Sequence, residues 1–554
     1  MKSWALSLIV MTSLFFVACG SGNTTSPPAA SYTIGGMVTG LAGSGLVLNV
    51  FYTNNLGPDP SSFVDALPVS AAGTFTFAKR VAGDTDYAVG VEAQPSSSPA
   101  QYCSLANSSG TVAAANVTNV SVTCGAGYTV GGTVSGLVGS GLVLQIENTQ
   151  IPNDPSDPNY VGSPLPVKTN GAFTLDSVYP AMYSSGDFVK ITQQPSSPTQ
   201  RCLIENAGIS IQNANDTSVA VACSEFSYVA NAADNTLSSY RVDPTTGALL
   251  AVGTPTVTGK SPHAVVGTHD RRFVYVANES SDNVSAFAVN AATGALTAIL
   301  GSPFAAGTGP QALTLDLNNH LYVANAGSNT ISAFAINATT GALTPLSPAT
   351  YATGQGPSSL TVDPTYSFLY VANSGGSDDI SAFVIDGASG GLTPMAGSPF
   401  AVGASPHSFA FGASGKFLYT ANPGGTSPGI LGFVLDSSGA LSALSGSPFS
   451  AAVNHSIAAD GAGAYLYATA STGVLGYSID ATTGLLTALP GFPVVCGVNS
   501  YSVTLDPTNQ FLYVANNGSA NVSGFEFDAS TGGITAITGS PFAAGNSADS
   551  VATL

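Results

Sequence analysis

The sequence predicts an all-β chain in which two small β-sandwich domains precede a seven-bladed β-propeller. The main observation is a phrase, Tyr-Val-Ala-Asn or a close variant, that recurs at a nearly constant spacing. It begins at Tyr228, Tyr275, Tyr322, Tyr370, Tyr419, Tyr467 and Tyr513, in steps of 47, 47, 48, 49, 48 and 46 residues. A fixed period of this length, with short alternating strands in every unit, is typical of propeller blades, which bury their faces against neighbours. Seven units therefore predict seven blades.

One unit shows how four strands would fill a blade. Alternating apolar residues predict strands over Pro357–Asp363, Phe368–Asn373, Ile380–Ile385 and Leu392–Phe400. The fourth strand carries a Gly-Ser-Pro-Phe phrase that recurs in other units. Because proline cannot donate a hydrogen bond to a β-ladder, we expect this strand at the outer edge of the blade.

The two ends of the repeat array complement each other. The first unit begins at Phe226, already in its second strand, whereas Ser550–Leu554 alternate like an inner strand with no blade after them. We expect the C-terminus to supply the inner strand of the first blade, which removes two exposed sheet edges. The predicted propeller spans residues 225–554.

Two similar segments of about 95 residues precede the propeller, at 32–125 (domain one) and 126–224 (domain two). Tyr32–Val38 matches Tyr128–Val134, and both copies end in two cysteines 21 residues apart. Short strands with frequent turn residues predict small β-sandwiches of Ig-like type. In an exported chain, pairing within each copy is the economical assignment, so we predict the disulfides Cys103–Cys124 and Cys202–Cys223. Cys496 stays unpaired and is expected to be a small buried apolar side chain.

The N-terminus predicts export. Residues 1–18 combine Lys2 with an apolar stretch and form a signal peptide, and residues 19–31 form a polar tether. The segment Phe16–Cys19 resembles a bacterial lipobox, although leucine is usual at the position of Phe16. Lipidation of Cys19 would anchor the chain in a membrane of the bacterial cell envelope. An ordinary signal peptide with a chance cysteine is the alternative.

Composition excludes one class of partner. Only 7% of residues are charged, and 30 acidic against 11 basic side chains give a formal charge of −19. No basic patch is present to displace counterions from phosphates, so nucleic acid is not expected as a ligand. We expect a monomer without a cofactor.

The predicted channel mouth offers candidate binding residues. Strands one and two are antiparallel, so the start of the first and the end of the second share one face. Four residues after the glycine position that opens each inner strand, the blades carry different polar side chains. We call this set the channel-mouth ring; in blade order one to seven it comprises Asp549, His263, Gln311, Ser358, His407, His455 and Tyr501.

Two alternatives remain open for these positions. Polar residues wetted at a channel mouth would account for the ring without any ligand. Three histidines also raise a metal site; His407 and His455 stand on adjacent blades with His263 across the ring, and we predict no metal. The asparagine that ends strand two recurs in six blades, so we expect it to cap turns rather than bind a ligand.

The repeats carry a family resemblance. Phe417–Asn422 and Phe511–Asn516, together with the Ser-Pro-His segments that begin at Ser261 and Ser405, resemble the seven-bladed lactonase family, which includes 6-phosphogluconolactonase-like and YVTN-repeat proteins. The resemblance covers the C-terminal 330 residues and is specific for the fold rather than for activity.

The resemblance implies a cluster of His, Arg and Glu at the channel mouth. Glu279 fits the carboxylate position, but His263 stands where the arginine would be and Asp549 where the histidine would be. Lys260 is the one cation near the ring. A substrate carboxylate or oxyanion favours a fixed cation, so this departure makes a phosphorylated sugar lactone a poor candidate substrate.

Two functions follow from the sequence. We favour a non-catalytic cell-envelope lipoprotein that presents the propeller to a protein or glycan ligand through the channel-mouth ring. The alternative is a lactone (carboxylic-ester) hydrolase with an altered site made of Glu279, His263 and Lys260.

Overall fold

The computed structural model describes residues 30–53, 63–95, 101–148, 163–180, 187–412, 415–425, 428–449, 453 and 455–554. The predicted signal peptide, Cys19 and most of the tether lie outside these residues, as does Ala451, the predicted opening position of blade six. Within the described part of the chain, no helix is long and apolar enough to cross a membrane.

Domain one packs two four-stranded sheets around its own core. In spatial order, the first sheet contains Gly73–Thr76, Ile34–Thr39, Val117–Ala126 and Gln101–Ala106. The second contains Phe63–Val69, Leu46–Thr53, Asp86–Ala93 and Ser109–Thr111. A short pair, Ser31–Tyr32 with Val81–Ala82, lies beside them.

Domain two repeats this arrangement around a second core. Its first sheet contains Gly171–Tyr179, Tyr128–Ser135, Asp216–Ala222 and Leu203–Glu205. Its second sheet contains Leu165–Val167, Leu142–Asn148 and Asp187–Gln193.

The shared Gly-Gly pair has a steric cause. In each domain the first strand pairs in parallel with the last, which brings two backbones together at the second glycine. A Cβ atom on Gly36 would lie 1.8 Å from the carbonyl oxygen of Val120, and one on Gly132 would lie 1.7 Å from that of Val219. Only glycine fits these positions.

Both predicted disulfides are confirmed. Cys103 bonds to Cys124 and Cys202 to Cys223, and all four cysteines are buried in the cores of their domains. Cys496 is a free, half-buried thiol whose Sγ lies 2.8 Å from the Ser500 hydroxyl. It packs at the edge of an apolar cluster between blades six and seven, but it is half-buried rather than buried as expected.

The C-terminal part forms seven antiparallel blades, which confirms the predicted fold. In blade order, the inner strands are Ala548–Thr553, Pro262–Gly267, Pro310–Leu315, Pro357–Val362, Ser408–Gly412, Ile457–Ala459 and Ser500–Leu505. The second strands are Glu225–Asn231, Phe273–Asn278, His320–Asn325, Phe368–Asn373, Phe417–Asn422, Tyr465–Ala470 and Phe511–Asn516. The third strands are Thr236–Val242, Asn283–Val289, Thr330–Ile336, Asp379–Ile385, Gly429–Leu435, Gly473–Ile479 and Asn521–Asp528.

The outer strands differ from the prediction. Leu392–Phe400 was expected as one strand, but the structure has Leu392–Pro394 and Phe400–Ala401, both paired with the third strand. Between them Gly397 adopts a φ of +86° and Pro399 has no N–H to donate, so the ladder is interrupted there. The other outer segments are Leu249–Ala251, Thr256–Val257, Leu296–Ala298, Phe304–Ala305, Leu343–Ala352, Leu441–Ala443, Leu486–Ala488, Gly533–Ala536 and Phe542–Ala543.

A short pair and one turn complete the elements. Ala404–Ser405 pairs with Gly424–Gly425 at the channel-mouth side of blade five. A 3₁₀ turn, Glu279–Ser281, follows the second strand of blade two.

The chain closes the ring with its own C-terminus. Ala548–Thr553 pairs antiparallel with Glu225–Asn231, with Val551 opposite Val229. Blade one is therefore built from both ends of the propeller sequence, as the alternation of Ser550–Leu554 predicts.

Domain two contacts the face of the propeller opposite the channel mouth through hydrogen bonds. Only two residues separate the last strand of domain two from the first strand of the propeller. Arg271 Nη1 donates to the carbonyl oxygens of Arg201 at 3.0 Å and Ser224 at 3.3 Å, which lie next to the disulfide-bonded Cys202 and Cys223. Gln510 adds a hydrogen bond to the carbonyl oxygen of Thr199.

Candidate active site at the channel mouth

The blade geometry brings the seven channel-mouth ring residues to one cavity. Each ring residue stands at or just before the start of an inner strand, where the strands converge on the axis. The cavity has a volume of about 320 Å³, and all seven ring residues line it, together with serines of the same strands. The side chains that the sequence count selects are therefore neighbours in space, and whether they bind a ligand stays a prediction.

Four aromatic rings run side by side along half of this cavity. His407 meets His455 edge to face, with ring centroids 5.5 Å apart. His455 stacks on Tyr501 at 4.3 Å, and Tyr501 meets His263 edge to face at 5.7 Å. His263 was expected across the ring from the other two histidines; it is instead joined to them through Tyr501, which reaches past blade one.

The hydrogen bonds of His263 fix how its ring is oriented. Its Nδ1 atom lies 2.9 Å from the carbonyl oxygen of Gln311, an acceptor only, and so carries a proton. Its Nε2 atom lies 3.2 Å from the Tyr501 hydroxyl. When Nδ1 carries the only ring proton, Nε2 accepts a hydrogen bond from the Tyr501 hydroxyl. This hydrogen bond orients the phenol at the edge of the cavity.

Two carboxylates lie near the Tyr501–His263 pair, and each accepts a hydrogen bond from a side-chain amide. Asp549, 8% exposed, accepts a hydrogen bond from the Asn517 side-chain amide. Glu279 accepts one from Gln311 Nε2 at 2.9 Å. Asp549 lines the cavity, whereas Glu279 lies behind Gln311 and is not among the lining residues.

Burial governs the protonation of the site. It lowers the pKa of His407 to about 4, with smaller contributions from His455 and His263, and it also lowers the pKa of His455. Burial raises the pKa of Asp549, and it raises that of Tyr501 to about 12 with help from the charges of Asp549 and Glu279. At neutral pH, His407 and His455 are therefore uncharged and give the cavity no fixed positive charge.

The described residues that line this cavity carry no fixed positive charge. Neither lysine nor arginine is found among the described residues that line it. Lys260, which was expected near the ring, is exposed, and its hydrogen bonds are made by its backbone: the N–H donates to Ser281 Oγ and the carbonyl oxygen accepts from the Ser280 N–H. Lys260 does not line the cavity and forms no ion pair with Glu279 among the described residues, so a shared role of these residues stays a prediction.

The described residues also provide no ready metal centre. No three His, Cys, Asp or Glu side chains among them come together in an arrangement that would hold an ion. His407 and His455 are adjacent, as the blade order predicts, but no third ligand joins them.

The strand-two asparagines serve the blade, although not by capping turns. All six are fully buried: Asn231, Asn278, Asn325, Asn373, Asn422 and Asn516. Five of them donate to a serine hydroxyl of the third strand at 2.9 to 3.0 Å. The side chain of Asn325 also accepts from the N–H of Gly307, which opens the inner strand of its blade. The expected local turn cap is thus replaced by a link across three strands.

Sequence reasoning missed one residue of the site, Asn517. It follows the strand-two asparagine of blade seven, just as Glu279 follows that of blade two. The same count applied to every blade identifies a second set of positions, which we call the flanking ring. In blade order it comprises Ala232, Glu279, Ala326, Ser374, Pro423, Ser471 and Asn517.

Comparison with known proteins agrees with this architecture. The sequence model of the family described as lactonase, 7-bladed beta-propeller, matches residues 206–308 and 301–447. No curated protein matches the chain.

Solved structures share the fold. A candidate 6-phosphogluconolactonase from Bacteroides fragilis is 22% identical with a TM-score of 0.52, over 60% of this chain and 98% of that one. A second, from Bacteroides uniformis, is 18% identical with a TM-score of 0.52, over 60% and 99%. At these identities the likeness concerns the fold alone. Together with the family match over residues 206–447 and the closed ring of seven blades, it shows that the propeller of this chain has the fold of the seven-bladed β-propeller lactonase family.

Proposed function

We propose that the propeller hydrolyses neutral lactones at its channel mouth, with Asp549 as the general base. The observation that carries the proposal is the position of Asp549, a buried carboxylate on the wall of the cavity beside the Tyr501–His263 pair. The match to the lactonase family model supports an ester hydrolase and gives no support to the non-catalytic role that the sequence favoured.

The chemistry requires only water and the residues at hand. Asp549 takes a proton from a water molecule while the water oxygen bonds to the lactone carbonyl carbon. The Tyr501 hydroxyl turns its one proton from His263 Nε2 to the carbonyl oxygen and donates a hydrogen bond there as negative charge develops. The ring C–O bond then breaks, and the departing alkoxide takes the proton back from Asp549. One water is consumed and one hydroxy acid is formed.

The charge of the cavity supports a neutral substrate. A phosphate or carboxylate group on the substrate would need a cation, and the described lining residues offer none. Serines, histidines and Gln311 offer hydrogen bonds of the kind that match hydroxyl groups. A polyhydroxylated lactone without phosphate fits this lining best.

Binding without turnover is the second candidate, and the same absence of a fixed cation favours it. The channel-mouth ring would then hold a neutral glycan or a polar segment of a protein. Domain two contacts the opposite face and so leaves the channel mouth uncovered by domain two. In this role, as in the first, the two disulfides indicate folding in an oxidising compartment outside the cytoplasm.

The two candidates separate in one assay. The wild-type protein and Asp549→Asn would be tested against glucono-δ-lactone, other neutral lactones and a phosphorylated lactone, with Ser471→Ala as control. Ser471 is the exposed flanking-ring residue of blade six. Removing a general base should lower kcat/KM on the neutral lactones about 10²-fold or more.

The alternative site makes a different prediction. If Lys260 takes part in the chemistry, Lys260→Ala should lose activity, whereas a base at Asp549 leaves that variant active. Wild-type protein that binds neutral sugars but opens none of these lactones would favour the binding role. Faster turnover of the phosphorylated lactone would contradict the proposed substrate class.

A further inference from the structure

The flanking ring contacts the channel-mouth ring of the next blade. Glu279 of blade two is held by Gln311 of blade three, and Asn517 of blade seven is bonded to Asp549 of blade one. The second contact crosses the closure of the propeller, since Asp549 lies on the C-terminal strand. In both cases a flanking-ring residue contacts the channel-mouth ring residue of the next blade. Each contact brings an amide side chain to a carboxylate: Gln311 to Glu279, and Asn517 to Asp549.

The amide of Asn517 is itself oriented. Its Oδ1 atom accepts from Asn499 Nδ2 at 3.3 Å, and its backbone N–H donates to the carbonyl oxygen of Asn499 at 3.0 Å. With Oδ1 committed in this way, the NH₂ group is directed at Asp549 Oδ1. Asn499 adopts a φ of +55°, a left-handed conformation that asparagine tolerates better than most residues.

The charge of Asp549 depends on this donor. Burial raises the pKa of Asp549, and the hydrogen bond from Asn517 is the largest opposing effect, followed by the nearby His263. Glu279 acts in the opposite sense, because a second negative charge disfavours ionisation. Among the described residues no other side chain donates to this carboxylate, so Oδ2 stays available at the cavity.

We infer that Asn517 is the positioning residue of the site: it holds the Asp549 carboxylate ionised through Oδ1 and leaves Oδ2 to take the proton of the attacking water. This inference rests on the proposed hydrolysis for its catalytic meaning. Asn517 itself touches neither water nor substrate in this scheme and acts only through Asp549.

The test measures Asp549 directly as well as turnover. The carboxyl ¹³C signal of Asp549, assigned by its loss in Asp549→Asn, would be titrated by NMR in wild type, Asn517→Ala and Asn517→Asp. We expect the pKa of Asp549 to rise by about one pH unit in Asn517→Ala, because the donor is lost, and further in Asn517→Asp. The acid limb of kcat/KM against pH should move upward by the same amount, with the plateau value changed much less.

Controls distinguish positioning from damage to the fold. Asn517→Asp preserves the shape of the side chain, so it tests the charge even if Asn517→Ala is unstable. Ser471→Ala, at the matched position of blade six, should leave both the titration and the acid limb unchanged. Asn499→Ala should shift the Asp549 pKa in the same direction by a smaller amount.

The outcomes are separable. An unchanged Asp549 pKa in both Asn517 variants would overturn the inference, whatever the activity. A shifted pKa in a protein that hydrolyses no lactone would overturn the proposed function while leaving the positioning of Asp549 intact.

Discussion

At the scale of single residues, one hydroxyl per blade joins the ring together. The tyrosine of each Tyr-Val-Ala-Asn phrase donates to the carbonyl oxygen of a glycine in the following blade, at 2.6 to 3.0 Å. The pairs are Tyr228–Gly294, Tyr275–Gly341, Tyr322–Gly390, Tyr370–Gly439, Tyr419–Gly484, Tyr467–Gly532 and Tyr513–Gly247. All seven tyrosines are fully buried, so the repeat that identifies the fold also forms its interfaces.

The closing bond of this series gives the first prediction. Tyr513→Phe removes the donor to Gly247, which joins blade seven to blade one. Because a buried carbonyl group loses its partner, the free energy of unfolding should fall by about 1–3 kcal/mol. Urea denaturation would measure the change.

The matched control is Tyr477→Phe. Tyr477 is buried in the same ring, but its hydroxyl bonds to no described residue, so this variant should stay within about 0.5 kcal/mol of wild type. Equal stability of the two variants would contradict a role for the tyrosine series.

A buried ion pair at the domain junction carries a desolvation cost. Glu225 and Arg271 are 5% and 9% exposed, with 3.6 Å between Oε1 and Nη2. Burial, with Asp506 nearby, raises the pKa of Glu225 to about 7 against the attraction of Arg271 and Arg201. Burial likewise lowers the pKa of Arg271 to about 10, so desolvation outweighs the attraction within the pair.

The second prediction concerns the pH dependence of stability. Since the pKa of Glu225 rises from 4.5 to about 7 on folding, the native state binds more protons than the unfolded chain between these values. The contribution of Glu225 to stability should therefore fall as pH rises through this window, by up to about 3 kcal/mol, whereas His407 and His455, whose pKa values are lowered in the folded protein, contribute in the opposite sense. In thermal unfolding followed from pH 4 to 8, Glu225→Gln should remove this falling contribution, so that the stability of the variant relative to wild type increases with pH. The same slope in both proteins would show that another group is responsible.

At the scale of elements, the C-terminal strand has two roles. It completes the sheet of blade one, and it carries Asp549 to the channel mouth. Val551 and Leu554 are buried, and Leu554 packs where a side chain on Gly267 would clash, so the strand also fills space between blades one and two.

Deleting residues 546–554 gives the third prediction. The deletion exposes the edge of Glu225–Asn231 and removes at least two buried apolar side chains. At about 25 cal/mol per Å² of apolar surface, the loss is a few kcal/mol, comparable with the margin of a whole domain. Calorimetry should show a sharply lowered Tm for the propeller.

Domains one and two act as internal controls in that experiment, because each has its own core and disulfide. Their melting should persist in the truncated protein. A truncated propeller that melts like the full-length one would contradict closure by this strand.

At the scale of the whole molecule, the propeller and domain two meet through specific side chains rather than through a flexible linker. Arg271 and Gln510 hold domain two beside the disulfide of its last strand. The contact lies on the face opposite the cavity, so the channel mouth is directed away from domain two.

The anchor is the fourth prediction. Cys19 lies outside the described residues, and its lipidation rests on the sequence Phe16–Cys19. Several acyl chains bind a membrane stably, whereas one does so only marginally. Cys19→Ser should move the protein from the membrane fraction to the soluble fraction and change its electrophoretic mobility. An unchanged fraction and mobility would contradict lipidation.

The sequence by itself determined features that repeat or lie close together along the chain. A period of 46 to 49 residues implies seven blades, and a count from the opening position of each inner strand, which is glycine in six blades and Ala451 in blade six, finds all seven channel-mouth ring positions. The two cysteine spacings point to the two disulfides. These inferences succeed because each blade uses the same local pattern, so what applies to one blade applies to its copies.

Only the tertiary structure decided which side chains meet. Tyr501 reaches past blade one to His263, Asn517 bonds to Asp549 across the closure, and Arg271 is buried against domain two. Lys260, close to the ring in sequence, turns out to be exposed. Such contacts join residues tens to hundreds of positions apart, and they depend on the radius of the closed ring and on side-chain rotamers. No local pattern encodes either quantity, because both result from packing all seven blades at once.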